Sequence, residues 1–120
     1  MGYESRIYVV AVHRHKNGWV YAEKIAEVNM CKMGWGNGWL ELFKKDIDYK
    51  LFMDDGDTEF DEDRYGEHMK SCPIKDVIEW LEGRLEDSDY RRLTVLYGLL
   101  KGFSLEQWRA DNLEVVHFGY

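Results

Sequence analysis

Between Asp46 and Asp63 stand nine acidic side chains and one lysine, Lys50, a local charge of −8 in a 120-residue chain whose net charge is −7. The remaining residues therefore sum to about +1. Asp54, Asp55, Asp57, Glu59, Asp61, Glu62 and Asp63 are the densest part of this run. If residues 57–63 are extended, Asp57, Glu59, Asp61 and Asp63 share one face at a repeat of roughly 6.6 to 6.8 Å. Such a ladder can occupy a groove built for a phosphate backbone, because rows of lysine and arginine answer carboxylates much as they answer phosphates. The same charges would also serve as a solvated guard against edge-to-edge strand pairing. Calcium of the EF-hand type does not fit. With Gly56 at the sixth loop position, the first and third positions are Leu51 and Met53, which carry no oxygen ligand.

A second chemistry is zinc, drawn from His13, His15, Cys31, His68, Cys72 and His117. His68 and Cys72 are four apart and would share a face if the turn before Pro73 is helical, while His13 and His15 would share a strand face. His68 and Cys72 would be joined by Cys31 or by the His13 and His15 pair, and zinc there would staple the fold. The spacing of established zinc fingers is not met. Cys72 is expected at a helix N-terminus, where a thiol can become more acidic, but no histidine is placed to activate it. A third chemistry is a small-nucleotide pocket built from Trp35, Trp39, Tyr90, Arg91 and Arg92. Gly34, Gly36 and Gly38 do not reproduce a dinucleotide fingerprint, and no Gly-x-Ser-x-Gly elbow is present. No set of residues spells out an active site, and the chain is expected not to be an enzyme.

The elements that position these residues follow from periodicity. Arg6–His15 and Trp19–Val28 are rich in β-branched and aromatic residues, and Asn17-Gly18 predicts a two-residue type I′ turn between them. That turn sets Lys16 opposite Trp19, His15 opposite Val20 and His13 opposite Ala22. Three glycines around Trp35 and Trp39 predict an ordered loop or a short cap. Tyr49–Met53 and Thr58–Asp61 flank Asp54-Asp55-Gly56-Asp57 as a second hairpin, so the acidic run sits on a turn. Pro73 opens a helix whose face carries Ile74, Val77, Ile78, Leu81 and Leu85. Asp87-Ser88-Asp89 starts another, with Leu93, Leu96, Leu100 and Phe103 in a stripe and Gly102 near its end. Ser104-Leu105-Glu106-Gln107 matches a capping box, and Leu113–Phe118 predicts a closing strand. Strands, a helical pair and a returning strand predict an α+β fold: a small, mostly antiparallel sheet with a helical hairpin packed on one face.

Bulk properties narrow the function classes. The length suits one domain over 1–120 with its own core, and hydrophobic residues at 45% with a single proline exclude a disordered chain. The negative charge disfavours direct binding to nucleic acid or an anionic membrane and favours basic partners. Apolar runs such as Ile7–Val12 are too short to span a bilayer, and the first residues lack the pattern of a secretory signal. Arg6 stands where a myristoylation motif needs Ser or Thr. Two distant cysteines suit reduced thiols, so the cytoplasm is the expected compartment.

The stretches Met1-Gly2-Tyr3-Glu4-Ser5-Arg6-Ile7-Tyr8-Val9-Val10, Cys31-Lys32-Met33-Gly34, Val77-Ile78-Glu79-Trp80-Leu81-Glu82, Asp89-Tyr90-Arg91-Arg92-Leu93 and Val115-Val116-His117-Phe118-Gly119-Tyr120 together resemble small accessory proteins of phages and prophages of Gram-positive bacteria. The resemblance implies a setting in the host cytoplasm and carries over no catalytic residues. Such accessory proteins include anti-CRISPR proteins that bind Cas9, several of which fill a nucleic-acid groove. The expected function is thus inhibition of a bacterial defence nuclease, with Cas9 the leading target, through the acidic surface. The alternatives are a sponge for a small-nucleotide defence signal and an accessory module with no defence role.

Overall fold

The computed structural model describes residues 5–31, 38–85, 91–104 and 112–119. The first two strands are β1 (Ser5–Arg14) and β2 (Val20–Cys31). The chain then makes a single 3-10 turn at Leu40–Leu42 and the short strands β3 (Lys45–Asp46), β4 (Leu51–Phe52), β5 (Glu59–Phe60) and β6 (Lys70–Pro73). Two helices, α1 (Ile74–Glu82) and α2 (Arg91–Ser104), precede the last strand, β7 (Leu113–Gly119). The fold is α+β, with a five-stranded sheet in the order β2-β1-β7-β6-β3 whose paired strands are all antiparallel. β4 and β5 pair separately.

β7 lies between β1 and β6, which is why its sequence reads as a nearly continuous apolar run: both faces of a central strand are covered. On one face Ile7, Val9 and Val115 pack beneath the helical stripes Ile74, Val77, Ile78, Leu81 and Leu93, Leu96, Leu100. Those are the stripes that helical spacing predicts, and α1 and α2 form the expected hairpin over the sheet. Leu85 follows the end of α1 and packs only in part.

The opposite face is also covered. Tyr8, Val10, Val12 and Val116 pack against Ile47, Tyr49, Leu51, Phe60 and Met69, so the acidic segment is the third layer of the molecule. Its apolar side chains alternate with Asp48 and Lys50, inward and outward at the strand period.

Two local expectations are corrected. Asn17-Gly18 does not form a two-residue turn: Gly18 N–H donates to the His15 carbonyl at 3.0 Å, His15 N–H donates to Trp19 at 2.8 Å, and Gly18 has φ of 89°. This is a three-residue loop, a turn followed by a left-handed glycine, and it shifts the register so that His13 faces Tyr21 and Arg14 faces Val20. The segment before Pro73 is a strand rather than a helical turn, with Cys72 inside β6 and Pro73 at the N-cap of α1.

Buried in the sheet, His117 meets the Ser5 hydroxyl at 2.9 Å and the ring of Phe43 at 5.2 Å. Burial lowers its imidazole pKa to about 4, against the opposing pull of Asp63. A histidine that is harder to protonate when folded stabilises the fold fully above its ordinary pKa of 6.5, and that contribution is lost as pH falls from there toward 4. The shift corresponds to roughly 3 kcal/mol. Urea unfolding of the parent should weaken across this window, and His117→Gln should lose that part of the slope. An unchanged slope would mean that the imidazole is not held neutral by the fold.

Candidate docking surfaces

The tip of the acidic hairpin is built by its own carboxylates. Asp55 Oδ1 accepts from the backbone N–H groups of Asp57 and Thr58 at 2.9 Å, and Oδ2 accepts from the Thr58 hydroxyl at 2.6 Å. These hydrogen bonds, the Thr58 hydroxyl first, hold the Asp55 carboxyl below its ordinary range. Gly56, with φ of 77°, donates to the Met53 carbonyl and closes the turn. A second turn follows, in which Asp63 Oδ1 accepts from Tyr65 N–H at 2.8 Å and Glu67 N–H at 3.1 Å. Asp55 and Asp63 therefore shape the loops that display the others.

Of the seven acidic residues singled out, Asp54, Asp55, Asp57, Glu59 and Glu62 are exposed, while Asp61 and Asp63 are half-buried. The ladder expected from Asp57 through Asp63 is interrupted: Asp57 belongs to the turn, and β5 extends only over Glu59–Phe60. Of the exposed carboxylates, Asp54, Asp55 and Asp57 sit in the turn, Glu59 in β5 and Glu62 just beyond it, where it bridges to His68. Their support is firm, because Leu51 is fully buried and Phe60 packs edge-on against Tyr8 and Phe118 at 6.1 and 6.0 Å. Among the described residues one ion pair reaches these seven carboxylates, Lys24 Nζ to Asp54 at 3.6 Å. That lysine also lies 3.7 Å from Glu27 and over the Tyr8 ring.

The zinc candidates do not converge. Residues 70–73 are extended, so the α-carbons of His68 and Cys72 are roughly 13 Å apart, and helical spacing cannot bring their side chains together. His68 is exposed and its Nε2 lies 2.7 Å from the Ile47 carbonyl. Cys72 is buried, and that burial pushes its thiol up to about 12, opposite to the acidification a helix N-terminus would give. His13 stacks on Tyr21, and His15 meets Trp19 at a tilt, in the β1–β2 hairpin. The Cys31 side chain lies outside the described residues. Among the described residues no three His, Cys, Asp or Glu side chains are grouped to hold a metal.

The nucleotide candidates are also separated. Trp39 is fully buried, in contact with Phe43 at 5.3 Å and Trp80 at 5.4 Å, and has no face left for a ligand. The Arg92 guanidinium donates to the Asn29 carbonyl, and Arg91 is exposed. Trp35 and Tyr90 lie outside the described residues, as do the expected helix start at Asp87-Ser88-Asp89 and most of the capping box after Ser104.

A feature not foreseen from sequence lies on the helical side. A groove of about 920 Å³ runs between α2 and the β1–β2 hairpin, lined among others by Ile25, Leu99, Phe103, Glu23, Gly98 and Gly102. A Cβ placed on either glycine would meet no atom within 4 Å. Glycine in a helix interior costs about 1 kcal/mol relative to alanine, and packing does not demand it at these positions. The pair at i and i+4 in an otherwise apolar stripe was the available sequence signal. Gly98→Ala should therefore raise stability by roughly 0.5–1 kcal/mol in chemical denaturation. A loss would show that the space above Gly98 is closed.

No family model matches the chain, and no curated protein or solved structure is significantly similar to it.

Proposed function

We propose that the chain is a phage-encoded inhibitor of a bacterial defence nuclease, which docks its acidic hairpin on a basic surface made for nucleic acid. What supports the reading is one arrangement: five exposed carboxylates on a segment whose inner side is core, reached among the described residues by a single lysine. A field of one sign on a fixed scaffold steers a basic partner and meets its lysines and arginines where phosphates would otherwise sit. No covalent chemistry is involved, since occupancy alone excludes the nucleic acid. Cas9 is the leading target on the strength of the sequence resemblance. No helix among the described residues is long and apolar enough to cross a membrane. The nucleotide-sponge reading loses Trp39 to the core and has no comparable support.

The test is titration of the chain into Cas9 loaded with guide RNA, at low ionic strength, followed by target-DNA binding. A stable complex that no longer binds target DNA is expected. Absence of any complex would remove Cas9 as the target.

A further inference from the structure

Beyond the helices, the sheet face that carries Ile7, Val9 and Ala11 continues into the β1–β2 hairpin, where His13, Tyr21 and Trp19 are exposed. Cross-strand pairing puts His13 beside Tyr21, and the two rings stack with centroids 6.1 Å apart. Tyr21 meets Trp19 at 5.9 Å, and Trp19 meets His15 at 4.7 Å. These four rings form one rank. Trp19 is 56% and Tyr21 42% exposed, and Ile25 carries the apolar surface on into the groove beside α2. On α2, Val95 is exposed one turn before Gly98 and Leu99, on the same stripe. An apolar surface of this continuity, exposed among the described residues, marks an interaction site.

Its charge selects the occupant. Glu23 is the only acidic or basic side chain among the described residues lining the groove, histidine aside, and it enters no ion pair among the described residues. Tyr21, two residues before Glu23, shares its strand face, and a carboxylate next to an exposed phenol face is complementary to a cation on an aliphatic stem, held by the charge and by the ring face together. Filling the remaining apolar space requires a large aliphatic neighbour. We infer that the groove and the aromatic rank form a docking site for a partner's peptide segment carrying an arginine or lysine next to a leucine-like side chain. The glycines of α2 keep the groove open for it. This surface lies on the helical side of the sheet, across from the acidic hairpin, and does not depend on the function proposed for that hairpin.

The probe is a fluorescein-labelled peptide of alternating leucine and arginine, with a leucine–glutamate peptide as control, read by fluorescence anisotropy. Both are measured on the chain in which Asp54, Asp57, Glu59 and Glu62 are Asn or Gln, so that the hairpin does not capture the arginines. The arginine peptide should bind and the glutamate peptide should not. Gly98→Leu, which fills open space, should weaken binding at least about tenfold, and Trp19→Ala by a similar factor, with the folded spectrum retained. Glu23→Gln should narrow the preference for arginine over glutamate. The inference is overturned if neither peptide binds, if both bind equally, or if Gly98→Leu and Trp19→Ala bind as the parent does. It is also overturned if sedimentation shows that the groove joins two copies of the chain, with the dimer abolished by Gly98→Leu.

Discussion

Leu51→Ala should destabilise the folded chain by about 2–5 kcal/mol, the range for deleting a fully buried leucine side chain whose cavity does not collapse. Leu51 is wholly inaccessible, although it sits three residues from Asp54, whose side chain is 99% exposed. It pairs with Phe60 across the small hairpin and belongs to the apolar layer with Tyr8, Val10, Tyr49 and Met69. Removing it leaves every charge in place and loosens what holds them. Partner binding should therefore weaken along with stability, even though no contact residue has changed. Urea unfolding monitored by tryptophan fluorescence gives the first quantity. A loss below about 1 kcal/mol would mean that the hairpin rests on the sheet without packing into it.

How much of this was legible in the sequence varies with the length of the pattern. β1, β2, α1, α2 and β7 each carry a run long enough for its period to show, and they appear where expected. β3 and β6 do not, because they span only Lys45–Asp46 and Lys70–Pro73. In β6 two consecutive residues, Ser71 and Cys72, are both buried in the sheet, so no alternation exists to read. The hairpin register depended on whether Gly18 alone, or Asn17 and Gly18 together, turned the chain, and composition does not separate those loops. Trp39 was a candidate stacking surface although an indole is costly to leave exposed, and its contacts with Phe43 and Trp80 place it in the core. The second apolar layer was readable in principle: Ile47, Tyr49 and Leu51 alternate with Asp48 and Lys50, a strand pattern hidden by the charge around it. Convergence of ligands was not readable, since spacing of four implies proximity only when the intervening residues are helical.

The acidic surface can be neutralised without dismantling the hairpin if the substitutions respect its hydrogen bonds. Asp55 and Asp63 hold turns and should be left intact. Asp54→Asn, Asp57→Asn, Glu59→Gln and Glu62→Gln remove four charges from exposed positions while preserving side-chain size. Each should alter stability by less than about 0.5 kcal/mol, and less mutual repulsion favours the fold. If every lost carboxylate faced a lysine or arginine, with about 0.5–1 kcal/mol at each contact, the four together should weaken binding by roughly 30- to 1,000-fold.

Salt separates this mechanism from every other way of losing affinity, because exposed charges are screened over about 10 Å at 0.1 M ionic strength while apolar contacts are not. The deciding measurement is the dissociation constant of parent and fourfold-neutralised chain for the guide-loaded nuclease, taken across a salt series. The parent is expected to lose affinity steeply as salt rises, while the neutralised chain binds weakly with a shallow dependence. Equal affinities with equal salt slopes, in a neutralised chain that remains folded, would contradict the account and leave the acidic hairpin as solvated surface.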